Sequence, residues 1–409
     1  VQGIYNVLVK LSGAVLKSAG KFSPKLKEFT EGRKDLFPKL EAGIDSSQEY
    51  FWVHAASLGE FEMAVPVLQM LKNKYPERKI LVSFFSPSGY KNKKKHPLVD
   101  LFTYLPLDTK ENASKFLEIV QPKMAFFIKY DFWPNFLNEL KEREIRTFLV
   151  SVVFRKDQAF FKPYGKWMLK SLQAFEHFFV QNEESRNLLN SAGFENVSLS
   201  GDTRFDRVAA QIEANNQIDF IEQFKGEEML VVCGSTWPED EDLMIDFINS
   251  SVKIKFIIAP HEIKPEKIRA LEKKISISCI KYSEKEGKNL ENYRVLILDT
   301  IGLLGRAYSY ANIAYVGGAA GHTGLHNILE PATFGIPIII GENYDKFPEA
   351  ERLRQLAGLF SVKNSGEFSA IMTRLYTHSD FREKSGMISG HFINSNTGAT
   401  RILEEYLSK

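Results

Sequence analysis

The feature that most limits how this chain can fold is a recurring short apolar run followed by a turn and an amphipathic stretch. The runs fall at Tyr50–His54, Ile80–Phe84, Leu101–Leu105, Ala125–Ile128, Thr147–Val152, His177–Val180 and Val197–Leu199. The pattern restarts at Met229–Cys233, Phe256–Ala259, Arg294–Leu298, Ile313–Val316 and Ile338–Ile340. Segments this short and continuously apolar suit strands buried on both faces, and helical stretches between them make the pairing parallel. Two tandem α/β units follow, with the boundary expected near residue 215, in the polar stretch 209–217. The expected layout is an N-terminal segment 1–40, a first α/β domain 41–215, a second 216–396, and a final segment 397–409. A helix at about 397–407 would cross back to the first domain.

Composition narrows the class. The chain has 409 residues, 44% of them hydrophobic, enough for a substantial core, and its formal net charge of +2 gives no support for a nucleic-acid partner. No run of 18 apolar residues occurs, so no bilayer-spanning helix is expected. The two cysteines, Cys233 and Cys279, sit in apolar strand-like runs and read as core thiols in a reducing compartment.

The second half carries the clearest local signal, the stretch Gly317–Gly341. A strand, Ile313–Val316, enters a glycine-rich loop, and a short helical segment ends at Gly335, where a left-handed cap is needed before Pro337. The amides of the 317–326 loop, Gly317 and Gly318 among them, and the next helix N-terminus would meet at the carboxyl edge of a parallel sheet. Such an edge suits phosphate. Glu330 could accept from sugar hydroxyls, with Asn327 above it at i−3. The plain alternative is a tight turn between buried elements. Upstream, Thr236 and Glu239 have capping-box spacing with Pro238 in the first turn, so Asp240 and Asp242 read as a helix start and not as metal ligands.

In the first half, Glu60 lies where the turn after Tyr50–His54 meets a helix. It is either a helix-start carboxylate favoured by the dipole or a general base displayed at the sheet edge. Asp131 follows another strand at the same edge. Lys91 and Lys93–Lys95 would lie there too, although a lysine run is usually a solvated face. At the N-terminus Ile4, Leu8, Leu11 and Val15 form one helical stripe, and residues 10–39 hold eight basic residues against three acidic ones. That combination suits a helix lying on an anionic membrane surface, or equally a helix packed on its own domain. Two tandem α/β halves with these features read as a GT-B glycosyltransferase, two Rossmann-like domains facing across a cleft.

The segments HAASLGE (54–60), SFFSPSGY (83–90), YDFWPN (130–135), GDTRFD (201–206), GSTW (234–237), APHE (259–262), DTIGLL (299–304) and the block from Val316 to Gly341 resemble the 3-deoxy-D-manno-octulosonic acid (Kdo) transferases. The likeness runs in order over nearly the whole chain and includes KEFTEGR (27–33). It implies an inverting, metal-independent enzyme without a cofactor, moving Kdo from CMP-Kdo to a lipid A precursor at the cytoplasmic face of the inner membrane, in lipopolysaccharide biosynthesis. By resemblance Glu60 falls on the base, and Asp131 and Arg204 on the transition-state stabilisers. Pro260, His261, Ile301, Gly302, Leu303, Asn327, Ile328, Leu329 and Glu330 fall on the CMP site. Arg204 stands where relatives commonly carry Lys, and Ile301-Gly302-Leu303 where many read Met-Gly-Glu, which puts the third side-chain contact in doubt. The leaving phosphate would find donors in Arg204, the Ser235–Thr236 turn and the 317–326 amides, although an interdomain ion pair would equally explain Arg204. The rival reading is a UDP-sugar epimerase of the same fold.

Overall fold

The computed structural model describes residues 2–19, 23–92, 95–162 and 165–409. The chain divides into two compact units, residues 1–207 with 397–409, and residues 208–396.

The first unit is a seven-stranded parallel sheet. Its strands are β1 (Tyr50–His54), β2 (Lys79–Phe84), β3 (Leu101–Tyr104), β4 (Met124–Ile128), β5 (Arg146–Val152), β6 (His177–Val180) and β7 (Val197–Leu199), in the order β3-β2-β1-β4-β5-β6-β7. Alternation along β1 sorts its side chains into two layers. Trp52 packs with Phe116 and Phe136 on one face, and Phe51 and Val53 with Phe61 and Leu68 on the other. The strand order reverses between β1 and β4, so the crevice beyond their carboxyl ends is the switch point of this sheet.

The last helix, Ala399–Leu407, belongs to this unit: Leu403 and Leu407 join the Phe51 layer. Asp206 fixes the start of that helix by accepting from the Gly398 and Thr400 amides at 2.6 and 2.7 Å. The division between units falls at Arg207, inside the helix Thr203–Glu213, not at 215. The polar stretch that marked the boundary in sequence is half helical.

The second unit repeats the plan with β8 (Met229–Thr236), β9 (Ile254–Pro260), β10 (Cys279–Lys281), β11 (Val295–Ile297), β12 (Ile313–Val316), β13 (Ile338–Ile340) and β14 (Leu359–Ser361), ordered β10-β11-β9-β8-β12-β13-β14. Here the reversal lies between β8 and β12. Gly335 caps the helix Leu329–Thr333 at φ +67°. A Cβ on Gly386 would come within 2.2 Å of the Gly335 carbonyl oxygen, so glycine also lets the helix Ser379–Asn394 close onto that turn. The helix Pro238–Ser250 starts one residue later than its sequence signature indicates: Trp237 is the N-cap, and Asp240, not Glu239, accepts from the cap amide at 2.9 Å. The reason is that Thr236 belongs to β8, where its carbonyl accepts from the His261 amide. Cys233 is fully buried, and burial pushes the half-buried Cys279 thiol up to about 12, so neither is poised to react.

The N-terminal helix Gln2–Ala19 packs on its own domain, one of the two sequence readings. Its polar face docks on the first unit, with the Tyr5 hydroxyl donating to Asp108 at 2.6 Å and the Asn135 amide to Asn6 at 2.9 Å. Its apolar stripe remains in solvent, from 57% exposure at Leu11 to 65% at Ile4. No helix among the described residues is long and apolar enough to cross a membrane.

Candidate functional site

The switch point of the first sheet gathers the residues that sequence singled out there. Ser57 caps the helix Leu58–Lys74, and Glu60 completes a capping box: its Oε2 accepts from the Ser57 amide at 3.0 Å. The helix-start reading of Glu60 is thus realised, yet among the described residues only one carboxylate oxygen accepts a hydrogen bond. Burial raises the Glu60 pKa and the charge of Asp131 raises it further, against the opposing influence of His54, the Ser57 amide and Lys129. The carboxylate is therefore a better proton acceptor than an ordinary glutamate.

Asp131 faces His54, with Oδ2 2.8 Å from Nε2. Among the described residues Oδ2 is a buried side-chain atom without a formed hydrogen bond, while His54 Nε2 accepts from Trp133 Nε1 at 3.3 Å. His54 itself is fully buried at the end of β1, its Nδ1 2.7 Å from the Ser83 hydroxyl, which in turn accepts from Trp52 Nε1 at 2.7 Å. Arg204 reaches the same edge from the start of the helix Thr203–Glu213, its Nε donating to Asp202 at 2.8 Å. Burial raises the Tyr130 pKa, and the charges of Arg155, Asp202, Arg204 and Glu60 act on it as well. Among the lysines, Lys91 lies in the helix Pro87–Asn92 and Lys95 is exposed, while Lys93 and Lys94 fall outside the described residues.

In the second unit the glycine loop does not present its amides as the sequence reading supposed. The Gly318 and Ala320 amides donate to the Asp240 carboxylate at 2.8 and 3.2 Å, and the Gly317 amide to the Gly234 carbonyl. Asp240 is fully buried and also accepts from the Tyr315 hydroxyl at 2.7 Å. An internal carboxylate thus takes two of the loop's amides, and glycine is needed because a Cβ at Gly317 would sit 2.8 Å from it. The helix Leu329–Thr333 is only five residues long, so its dipole is slight.

Asn327 and Glu330 pair as expected at i, i+3, Nδ2 donating to Oε1 at 3.1 Å. Ile328 and Leu329 are buried beneath them. Pro260 ends β9, and His261 stacks on Trp237 with ring centroids 4.6 Å apart and meets the tilted ring of His326 at 4.5 Å. Burial and the neighbouring His261 lower the His326 pKa to about 4, so its neutral ring accepts from Trp237 Nε1 at 3.2 Å. Ser235 takes a left-handed φ of +54°, and the Thr236 hydroxyl donates to Glu241 at 3.3 Å. Ile301 is 89% exposed and Gly302 has φ +89°; with Leu303 they follow β11, two strands away from β8.

Sequence reasoning missed His54, Lys129, Trp133, Trp237 and His326 as members of these edges. Only His54 gave a signal, as the last residue of a strand.

Paired parallel sheets with polar groups at each switch point define the GT-B class, to which glycosyltransferases and sugar-nucleotide epimerases belong. Similar solved structures include UDP-GlcNAc 2-epimerase from Neisseria meningitidis bound to UDP-GlcNAc (TM-score 0.63, 13% identity, covering 88% of this chain and 100% of that one). Another is MurG from Acinetobacter baumannii (TM-score 0.52, 10% identity, 88% and 99%). At these identities the likeness establishes fold alone.

Residues 30–207 match the family model for 3-deoxy-D-manno-octulosonic-acid transferase (kdotransferase), and the chain is similar to curated Kdo transferases over most of its length. The 3-deoxy-D-manno-octulosonic acid transferases of Aquifex aeolicus and Haemophilus influenzae are 29% and 27% identical, each over 88% of this chain, covering 96% and 87% of their own lengths. A bifunctional glycosyltransferase/methyltransferase of Fusobacterium nucleatum is 28% identical over 89% of this chain, which spans 58% of that relative.

Proposed function

We propose that the chain transfers Kdo from CMP-Kdo to a hydroxyl of a lipid A precursor with inversion at the anomeric carbon. Glu60 acts as the general base. The observation that carries this reading is the pair Glu60 and Asp131 at the switch point of the first sheet. One glutamate oxygen is fixed by the capping box, the other makes no hydrogen bond among the described residues, and burial has raised the pKa. A carboxylate held that way takes the proton of an attacking hydroxyl. Asp131, with its Oδ2 in want of a donor, and the Arg204 guanidinium stabilise charge as the glycosidic phosphate leaves.

Asn327, Glu330, Pro260 and His261 bind the CMP portion, Glu330 by accepting from ribose hydroxyls. The intact Asp240 cluster turns the role of Gly317 and Gly318 from phosphate donors to supports of the loop. The chemistry needs neither metal nor cofactor. The exposed stripe of the N-terminal helix seats the enzyme on the cytoplasmic surface of the inner membrane, where the lipid acceptor resides. Incubation with CMP-Kdo and a lipid A precursor, with and without EDTA, tests the reading: CMP release with formation of a Kdo-bearing lipid is expected in both. Turnover of a UDP-sugar in place of CMP-Kdo would overturn it in favour of the epimerase.

A further inference from the structure

At the end of β4 the backbone adopts a conformation that lysine does not favour. Lys129 is held at φ +71°, the left-handed region, with its amide donating to the Val150 carbonyl at 2.9 Å. Glycine would serve that turn better, so the turn alone does not account for the side chain. The Lys129 side chain is half-buried, and among the described residues its ammonium makes no ion pair or hydrogen bond. It lies 5.3 Å from the centre of the Tyr130 ring, and the Arg155 guanidinium lies 5.7 Å from the same ring. Lys129 follows the last residue of β4 and stands two residues before Asp131, at the carboxyl edge of the first sheet. A half-buried cation lacking a formed anionic contact loses hydration without full return. Strained residues of this kind cluster where a ligand completes them.

We propose that Lys129 is an anion-binding residue of the transfer site, taking a carboxylate or phosphate oxygen of a substrate, with Arg155 adding attraction at longer range. The site deepens the function proposed above and rests on it for the substrates' identity. The donor's sugar is an acid, and the lipid acceptor carries phosphates. Lys129 stands at the sheet edge that carries Glu60 and Asp131 and would hold the anionic group of whichever substrate reaches it, limiting the motion of the reacting atoms.

The test compares Lys129→Gly and Lys129→Arg with the parent in the full chain, at a pH on the plateau of the rate profile. Lys129→Gly suits the left-handed backbone, so a thermal melt at least equal to the parent's is expected. The KM for one substrate should rise about ten-fold or more, as loss of a charge-assisted bond implies, with kcat kept within a few-fold. Lys129→Arg should restore most of the affinity. A rise confined to CMP-Kdo identifies the carboxylate. A rise confined to the bisphosphorylated acceptor, and absent for an acceptor lacking one phosphate, identifies that phosphate. If neither KM changes on the plateau, the proposal fails, even where the acidic limb moves, because Lys129 then acts only on Glu60. Should the parent transfer no Kdo, the functional reading itself fails. Titration of parent and Lys129→Gly with inorganic phosphate then decides the site, and equal binding overturns it.

Discussion

Glu60 has two jobs that one substitution separates. Glutamine at its position can still accept from the Ser57 amide, so the capping box survives Glu60→Gln. The raised pKa means that folding disfavours the ionised form, so stability falls as pH rises through that value. The glutamine variant is therefore expected to melt no lower than the parent at pH 7, while transfer falls by roughly 10²–10⁴. Circular dichroism melts beside turnover measurements check both halves, and near-parental turnover would remove Glu60 from the base role. The parent's rate should in turn decline with acidification at a pH above the ordinary glutamate range. Asp240 offers a second contrast. Asp240→Asn sets an amide donor against the Gly318 and Ala320 amides and should lower both melting temperature and CMP affinity, by about 2–4 kcal/mol in stability. Asp242→Asn, on an exposed neighbour, should do neither. Equal behaviour of the two variants in thermal melts and CMP titration would mean that Asp240 does not organise the loop. The sequence exposed Asp240 only as one of three acids in a first helical turn. Its real partners come from a loop nearly eighty positions away, and no local pattern encodes such a contact.

Elements were more legible than side-chain sites because their signals are periodic. All seven strands of the first sheet stand out as apolar runs, while β10 and β14, at opposite edges of the second sheet, are not among the recurring runs, although Cys279 in β10 reads as strand-like. Lys129 escaped notice for a related reason: its left-handed turn is imposed by pairing with β5, not by a glycine. The N-terminal helix was legible as amphipathic, but its sequence could not say which face meets protein. The structure divides the labour, with Tyr5 and Asn6 docked and Ile4, Leu8, Leu11 and Val15 exposed. Replacing those four with serine should leave the melting temperature nearly unchanged and activity on detergent-dispersed acceptor intact. Co-sedimentation with anionic liposomes should fall sharply, since each apolar side chain withdrawn from an interface forfeits about 1.5–3 kcal/mol at full burial. Undiminished co-sedimentation would overturn the membrane role of the stripe.

At the scale of the whole molecule the notable property is that the first unit is discontinuous in sequence. The chain leaves it at Arg207, builds a complete second sheet, and returns at Thr397. The returning helix contributes to the core: Leu403 is fully buried and Leu407 nearly so, both in the layer formed by Phe51, Val53 and the helix Leu58–Lys74. Tyr406 lies against His177 with ring centroids 4.2 Å apart and donates to Glu176 at 3.3 Å. Asp206, just before the chain leaves the unit, holds the start of the same helix through two amides and the Thr400 hydroxyl. Ending the chain after Asn396 removes all of this from one face of the first sheet. Burial of the two leucines alone is worth about 3–6 kcal/mol, a large share of the total for a domain of this size. The second unit, residues 208–396, retains every strand and helix of its own sheet in such a truncation. Its amides are expected to keep their hydrogen-exchange protection while those of β1, β5 and β6 lose theirs. Leu403→Ala in the intact chain should weaken the first unit by about 2–5 kcal/mol and leave the second alone. Uniform loss of protection across both sheets would mean that the two units unfold as one, and the returning helix would then be a support of the whole chain.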